Sequence, residues 1–323
     1  MWMELLAIAG GFVLLTWSAD RFVVGASALA YNFSIPPLII GLTIVSLGTS
    51  APEILVSGVA ALQGNSGLAI GNAIGSNITN IALVLGATAL IMPLNVHSSI
   101  VRRELPVLLG VMLLALLLLL DGTLGRLDGI ILLTGMVFML IWMTRIGMKE
   151  KSSHDSMSEE FADEVPTDMT MAKAGFWTLV GALCLLASSK ILVWGAVSIA
   201  QAIGVSDLVI GLTIVALGTS LPELAASVMS ALKNEHDIAI GNIIGSNIFN
   251  LLAVLGLPGL LSPGPVDAAV LTRDYPVMIG LTVALFVMAY GFRGPGRLNR
   301  IEGALLATAF VGYQTLLYFT VAL

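Results

Sequence analysis

Charged residues are scarce in this chain of 323 residues. Aspartate, glutamate, lysine and arginine together make up 11% of it, whereas a soluble domain carries roughly 25%. Hydrophobic residues make up 57%, and the mean hydropathy is +0.99. This balance excludes an ordinary soluble protein and predicts a polytopic integral membrane protein. The net charge of -6 says little about partners, because most of the charge lies in loops.

Cysteine and histidine are also scarce. The single cysteine, Cys184, excludes an intramolecular disulfide and a multi-thiolate metal site. The three histidines lie far apart, and no HExxH motif of a membrane metalloprotease is present. No basic segment precedes the first apolar stretch, so we expect the N-terminus to be a first transmembrane helix and not a cleaved signal peptide. Neither an enzyme nor a cofactor is expected.

Ten apolar stretches are long enough to be membrane spans, since a helix needs about 20 apolar residues to cross a bilayer. They lie at residues 4–30, 37–62, 68–92, 101–120, 127–146, 174–200, 208–231, 238–262, 275–292 and 301–322. The stretch from Lys149 to Asp168 is polar and is predicted to be a solvated linker. We therefore expect an all-α polytopic membrane protein: a five-helix unit (1–148), a cytoplasmic linker (149–173) and a second five-helix unit (174–323).

Lysine and arginine are distributed unevenly between the two sets of loops. With the N-terminus placed outside, ten of them fall on the cytoplasmic side and only Arg126 and Arg273 fall outside. Because positively charged loops stay in the cytoplasm, we expect both termini outside and the linker inside. The predicted location is the plasma membrane, or the inner membrane of a Gram-negative bacterium.

The sequence repeats itself at an offset of 170 residues. Residues 41–86 begin GLTIVSLGTSAPEI, residues 211–256 begin GLTIVALGTSLPEL, and 27 of the 46 aligned residues are identical without a gap. Because each half holds five helices, an odd number, the second half must cross the membrane in the opposite direction to the first. Inverted repeats with a binding site near their shared axis are typical of secondary transporters.

Each repeat carries a glutamate inside an apolar helix, directly after a proline: Glu53 and Glu223. A carboxylate inside a membrane is costly and usually functional, the alternative being a protonated carboxyl that only joins helices. Proline removes the amide that would bond the carbonyl four residues earlier, so we predict kinks at Gly48 and Gly218 with free carbonyl oxygens. The inversion would bring the two carboxylates together near the bilayer midplane.

The helix after each kink carries a polar stripe with four-residue spacing. The stripes are Asn72, Ser76 and Asn80 in the first repeat, and Asn242, Ser246 and Asn250 in the second. Carboxylate, hydroxyl, amide and carbonyl oxygens suit Ca²⁺ or Na⁺ better than a soft metal. We predict a cation site with the two glutamates at its centre, ringed by Thr49, Thr219, Ser76, Ser246, Asn80 and Asn250.

Simpler interpretations apply to several of these residues. Glycines spaced by four allow close helix packing, which could bring the stripe against the kinked helix or be packing alone; they are Gly71, Gly75, Gly241 and Gly245. Asn72 and Asn242 are expected to cap or brace helices outside the ion-contacting set. Asp20 and Lys190 occupy corresponding positions with opposite charges, which is compatible with gate hydration, a structural ion pair or proximity to the membrane interface.

The motifs GTSxPE and GNxxGSNxxN, each present in both halves, resemble the α-repeats of the Ca²⁺/cation antiporter superfamily, on its sodium/calcium exchanger branch. The resemblance covers the whole chain and implies alternating access, with Na⁺ moving down its gradient and Ca²⁺ moving out. Helices one and six resemble the pair that slides across the core. The implied ligands are Thr49, Glu53, Ser76, Asn80, Thr219, Glu223, Ser246 and Asn250, with Na⁺ contacts at Ser50 and Ser220 and backbone carbonyls at Ser46 and Ala216.

Two departures within the superfamily bear on the coupling ion. Some members have aspartate where this chain has Asn80 or Asn250, and two site carboxylates instead of three make a K⁺ requirement unexpected. The proton-coupled branch carries glutamate where this chain has Gly75 and Gly245, which favours Na⁺ over H⁺.

The main prediction is a Na⁺/Ca²⁺ antiporter whose partners are inorganic cations and the lipid bilayer, with no nucleic acid or obligatory protein partner. An H⁺/Ca²⁺ antiporter is the nearest alternative, since burial can let a carboxyl exchange protons near working pH. A cation channel is a different class; channels are usually built from rings of several subunits, whereas this chain contains its own two-fold site. Other divalent ions, such as Mn²⁺ or Sr²⁺, fit the same oxygens.

Overall fold

The computed structural model describes residues 2–33, 46–96, 103–150, 168–232, 236–290 and 296–322. Its apolar stretches are helical, because backbone polar groups in lipid must be satisfied within each segment. The helices of the first half are α1 (Trp2–Asn32), α2 (Ser46–Thr49), α3 (Ala51–Leu62), α4 (Ser66–Thr79), α5 (Gly86–Ile91), α6 (Leu105–Leu119) and α7 (Arg126–Glu150). Those of the second half are α8 (Met171–Ile203), α9 (Asp207–Ile210), α10 (Ala216–Thr219), α11 (Leu221–Leu232), α12 (His236–Phe249), α13 (Gly256–Leu261), α14 (Tyr275–Ala289) and α15 (Arg300–Ala322).

Wider π-helical turns link several of these helices into longer segments. They lie at Asn80–Leu85 between α4 and α5, at Gly211–Val215 between α9 and α10, at Asn250–Val254 before α13, and at Val270–Asp274 before α14. The described helices then form ten segments that correspond to the ten predicted spans; the beginning of the second span and most of the linker lie outside the described residues. By length and composition, five described helices can each cross a membrane, and the bent α9–α11 segment makes a sixth.

The long helices α1 and α8 pack antiparallel along their length. Glycines allow the close approach: a Cβ at Gly25 would lie 2.5 Å from the Thr178 backbone nitrogen, and one at Gly181 would lie 2.5 Å from the Phe22 backbone nitrogen. Outside this contact both helices are largely exposed. They therefore form a pair of their own beside the rest of the molecule.

The centre of the molecule is built from the α4–α5 and α12–α13 segments. In each, 78% of the most apolar 18 residues are buried, against 28% in α1 and 33% in α8. A Cβ at Gly71 would lie 2.4 Å from the Leu208 carbonyl oxygen, and one at Gly75 would lie 2.7 Å from the Leu212 Cα. These two glycines thus pack α4 against the kinked helix of the opposite repeat.

Two short antiparallel ladders, which the sequence analysis did not predict, also join the halves. Strand β1 (Leu94–Val96) pairs with β4 (Gly296–Leu298), and β2 (Thr123–Leu124) pairs with β3 (Gly264–Pro265). Each ladder takes one strand from each half. The loops that carry them are therefore fixed to the opposite repeat.

Asp20 makes a local contact on α1. Its Oδ2 lies 3.5 Å from Nε of Arg21, and the Arg21 guanidinium lies 5.3 Å from the centre of the Trp177 ring on α8. Asp20 therefore pairs within its own helix and not with Lys190. The Arg21–Trp177 contact joins the two long helices at this level.

Candidate ion-binding site

A helix is interrupted at corresponding points of the two repeats. Ser50 lies between α2 and α3 with φ -87° and ψ 5°, and Ser220 lies between α10 and α11 with φ -85° and ψ 6°. The two parts of the second-half helix meet at an angle of 41°. The predicted kinks exist, but they fall two residues after Gly48 and Gly218. Pro52 sits in the first turn of a new helix, where its missing amide needs no partner.

Glu53 and Glu223 follow these breaks and are completely buried. The Ser220 hydroxyl donates to Glu53 Oε1 at 3.5 Å, and the Ser50 hydroxyl lies 3.4 Å from Glu223 Oε1. Ser246 donates to the same Glu223 oxygen at 3.3 Å. Oε2 of each glutamate has no protein partner among the described residues. Each carboxylate is thus reached by a serine of the opposite repeat, and both belong to one cluster.

Asn72 connects the halves at another side of this cluster. Its Oδ1 accepts from the Ser76 hydroxyl at 3.4 Å and lies 3.2 Å from Thr219 Oγ1. Its Nδ2 donates to Ser57 Oγ at 2.9 Å and lies 3.1 Å from the Glu53 carbonyl oxygen. These are the contacts of a brace between α3, α4 and α10. The brace also places Thr219 beside the first-repeat stripe.

Asn80 and Asn250 each begin a π-helical turn, a feature frequent at functional sites. Both side chains are completely buried. Asn80 Nδ2 donates to Asn247 Oδ1 at 3.0 Å, which leaves Asn80 Oδ1 without a protein partner within the described ranges. Neither side-chain polar atom of Asn250 has a partner there. Two amide oxygens, Asn80 Oδ1 and Asn250 Oδ1, are therefore buried without a protein partner among the described residues.

Three predicted contacts are placed only in part. Ser46 begins α2, but its side chain lies outside what the structure describes. Thr49 ends α2 and is half-buried. The Ala216 carbonyl accepts from the Ser220 amide at 3.2 Å and lies 3.4 Å from Thr219 Oγ1.

Asn77 and Asn247 are central residues that the sequence analysis missed. Both are completely buried, and Asn247 holds Asn80. A signal was available, because both are amides inside apolar helices at corresponding repeat positions, as Glu53 and Glu223 are carboxylates. They were overlooked because the four-residue stripe omits the position next to each serine.

The cluster is a set of hard oxygen donors with two carboxylates. Among the described residues, no group of three His, Cys, Asp or Glu side chains could hold a metal. A cation here would be held by the two carboxylates together with hydroxyl, amide and carbonyl oxygens. Such mixed oxygen cages suit Ca²⁺ and other hard cations.

A sequence profile described as sodium/calcium exchanger protein matches residues 3–145 and 173–319. The chain belongs to the sodium/calcium exchanger family. CaxA of Alkalimonas amylolytica is 53% identical to it, over 95% of this chain and 96% of CaxA. The inner membrane protein YrbG of Escherichia coli is 43% identical over 96% and 95% of the two chains. The sodium/calcium exchanger MaX1 of Methanosarcina acetivorans is 30% identical over 96% and 97%.

A solved structure of the sodium-calcium exchanger NCX_Mj matches with a TM-score of 0.64 and 30% identity, over 96% of this chain and 97% of that chain. The predicted fold class is thereby confirmed: the exchanger is an all-α polytopic membrane protein with ten transmembrane helices in two inverted five-helix repeats. The family consists of ion transporters and not of enzymes. The chain is therefore a multi-pass membrane transporter of inorganic cations.

Proposed function

We propose that this exchanger moves Na⁺ and Ca²⁺ in opposite directions by alternating access, with Glu53 and Glu223 as its central ion ligands. The observation that carries the proposal is the meeting of these two buried carboxylates, each in contact with a serine of the opposite repeat. Buried carboxylates need partners, and each leaves Oε2 without one among the described residues. Cations supply the partners that the protein does not.

Competition for shared oxygens explains the exchange. Two carboxylates neutralise one Ca²⁺ or two Na⁺, so the two ions cannot fill the same cage together. The proposed ligands are the side chains of Thr49, Ser50, Glu53, Ser76, Asn80, Thr219, Ser220, Glu223, Ser246 and Asn250, and the carbonyls of Ser46 and Ala216. Since both repeats contribute, sliding of the α1–α8 pair across the core would expose the same site to either face.

Three arguments favour Na⁺ over H⁺ as the driving ion. The positions where proton-coupled members carry glutamate are Gly75 and Gly245 in this chain. Structures of the NCX_Mj relative come from protein soaked with Na⁺ and with Ca²⁺ or Sr²⁺. A carboxylate pair surrounded by hydroxyl and amide oxygens offers several places for Na⁺, whereas a proton needs only one carboxylate oxygen.

The proposed location is the plasma membrane, or the inner membrane of a Gram-negative cell, with both termini outside. The excess of lysine and arginine in alternate loops supports this orientation. The relative YrbG carries the name inner membrane protein. With Na⁺ entering down its gradient, this exchanger would extrude Ca²⁺.

The test is uptake of ⁴⁵Ca²⁺ into proteoliposomes loaded with Na⁺ and diluted into Na⁺-free buffer. Wild-type protein is expected to accumulate Ca²⁺, and Glu53→Gln and Glu223→Gln are each expected to stop uptake. Glu302→Gln is the matched control, because Glu302 caps the start of α15 through the Asn299 amide at 2.8 Å and lies outside the cluster. It should transport like wild type.

A parallel set replaces the Na⁺ gradient with a pH gradient. Uptake driven by pH alone would assign H⁺ as the coupling ion and overturn the Na⁺ proposal while keeping the site. Ca²⁺ flux without any counter-ion would indicate a channel. Uptake that survives both glutamate changes would place the site elsewhere.

A further inference from the structure

Four buried asparagines of the two repeats make up one hydrogen-bonded pair and a second pair that corresponds to it by the repeat offset. Asn80 of the first repeat donates to Asn247 of the second at 3.0 Å. The repeat offset of 170 relates Asn80 to Asn250 and Asn247 to Asn77. The counterpart of the Asn80–Asn247 pair is therefore Asn77 with Asn250. One pair is hydrogen-bonded, and the other is not.

The Asn77–Asn250 pair is chemically unusual in its present arrangement. Both residues are completely buried, and none of their four side-chain polar atoms has a hydrogen-bond partner among the described residues. A buried amide group without a hydrogen-bond partner keeps the full cost of its desolvation. Native proteins keep such groups mainly where another state or a ligand satisfies them. These four atoms therefore point to a role in ion binding or in a change of state.

The two pairs lie at different depths. Asn77 precedes Asn80 by three residues, and Asn247 precedes Asn250 by three, which is about 4.5 Å along each helix. Because α4 and α12 run in opposite directions in inverted repeats, the Asn80–Asn247 pair lies toward one membrane face and the Asn77–Asn250 pair toward the other. The two pairs thus flank the bilayer midplane.

We propose that Asn77 and Asn247 are positioning residues that act in alternation, each holding the ion-site asparagine of the opposite repeat in one access state. The inference rests on the proposed function, in which Asn80 and Asn250 contact the ions. In the present state Asn247 Oδ1 accepts from Asn80 Nδ2, so that Asn80 Oδ1 stays available, while Asn250 is released. When inverted repeats exchange conformations, Asn77 holds Asn250 and Asn80 is released.

The alternation predicts that each positioning residue affects the KM for Ca²⁺ more at one membrane face than at the other. Asn247→Leu removes the acceptor for Asn80 at similar side-chain volume, and Asn77→Leu does the same for Asn250. We expect each variant to raise the KM for Ca²⁺ about fivefold at one face, as for loss of one ordinary hydrogen bond, and less than twofold at the other. The affected face should be opposite for the two variants. The maximal rates should stay within about twofold of wild type.

The experiment uses right-side-out and inverted vesicles from the same expressing cells, with Na⁺ inside and ⁴⁵Ca²⁺ outside. Each preparation reports the KM at one face. Thr88→Val is the control: Thr88 is buried in the same helical segment as Asn77, and its hydroxyl donates to the Val84 carbonyl of that segment at 2.7 Å. It should leave the KM unchanged at both faces. Asn247→Ala and Asn77→Ala, which also remove the acceptor, replace the leucine variants if these fail to reach the membrane.

Several results would overturn the inference. Equal changes of KM at both faces would show that Asn77 and Asn247 act only as packing. An unchanged KM in vesicles whose wild-type protein exchanges Na⁺ for Ca²⁺ would remove their positioning role and leave the proposed function intact. Wild-type vesicles without Na⁺-dependent uptake would instead overturn the proposed function, and the alternation with it.

Discussion

The two repeats share their motifs but not their side-chain contacts. Glu223 has two serine hydroxyls within hydrogen-bond distance, those of Ser50 and Ser246, whereas Glu53 has that of Ser220. The serine that corresponds to Ser246 is Ser76, and it donates to Asn72 instead. Closely similar motifs therefore form two different halves of one site.

This difference indicates how an inverted repeat works as a transporter. If both halves had the same contacts, the site would be equally accessible from both membrane faces. A transporter in one access state must instead hold its repeats in different arrangements. The contrast extends to Asn72, which is completely buried, and its counterpart Asn242, which is half-buried. Comparing corresponding residues of the two repeats is thus a direct test of the mechanism.

The largest expected effect concerns Gly71 and Gly241, the glycines directly before the two polar stripes. A Cβ at Gly71 would lie 2.4 Å from the Leu208 carbonyl oxygen, whereas one at Gly241 would come no closer than 3.9 Å to any described atom, Glu104 Oε2. Because backbone cannot move aside easily, Gly71→Ala should lower the free energy of unfolding by about 3 kcal/mol. Gly241→Ala should change it far less. The measurement is the melting temperature of the purified protein in detergent.

Gly110→Ala is the control for this pair. Gly110 lies in the middle of α6 with no described atom within 4 Å of the position a Cβ would take. Alanine should stabilise that helix by about 0.5–1 kcal/mol, since glycine is the poorer helix former. A Gly71→Ala protein that melts at or above the wild-type temperature would contradict the close packing of α4 on the opposite repeat.

The sequence predicted the ten spans, the inversion and the central pair of glutamates because these depend on composition and on an exact offset between two segments. It also predicted that proline would break both helices, but not that the break would fall at Ser50 and Ser220, since a new helix can accommodate proline in its first turn. The sequence did not predict the contacts between the repeats. Periodicity shows that Asn72 lies on one face of its helix. It does not show which helix of the other repeat packs against that face.

The second prediction uses the serines at the two breaks. Ser50 contacts both Glu223 and Ser246, whereas Ser220 contacts Glu53 at the longest of the serine–carboxylate distances, 3.5 Å. Hydrogen bonds to charged groups contribute about 1.5–3 kcal/mol, so Ser50→Ala should raise the Na⁺ concentration for half-maximal Ca²⁺ uptake about tenfold. Ser220→Ala should raise it about threefold, as the weaker contact implies. Equal shifts would mean that the two repeats are equivalent during transport.

The smallest expected effect separates Asn72 from Asn242. Asn72 contacts Ser57, the Glu53 carbonyl, Ser76 and Thr219, whereas Asn242 donates to Ser227 Oγ at 3.4 Å. Loss of a buried hydrogen-bonding group costs about 1 kcal/mol, so Asn72→Ala should lower the melting temperature by about 3 °C. Because Asn242 is half-buried, Asn242→Ala should change the melting temperature by less than about 1 °C. Equal melting temperatures would mean that the brace between α4 and α10 adds no stability, and that the asymmetry of the repeats resides in the ion ligands alone.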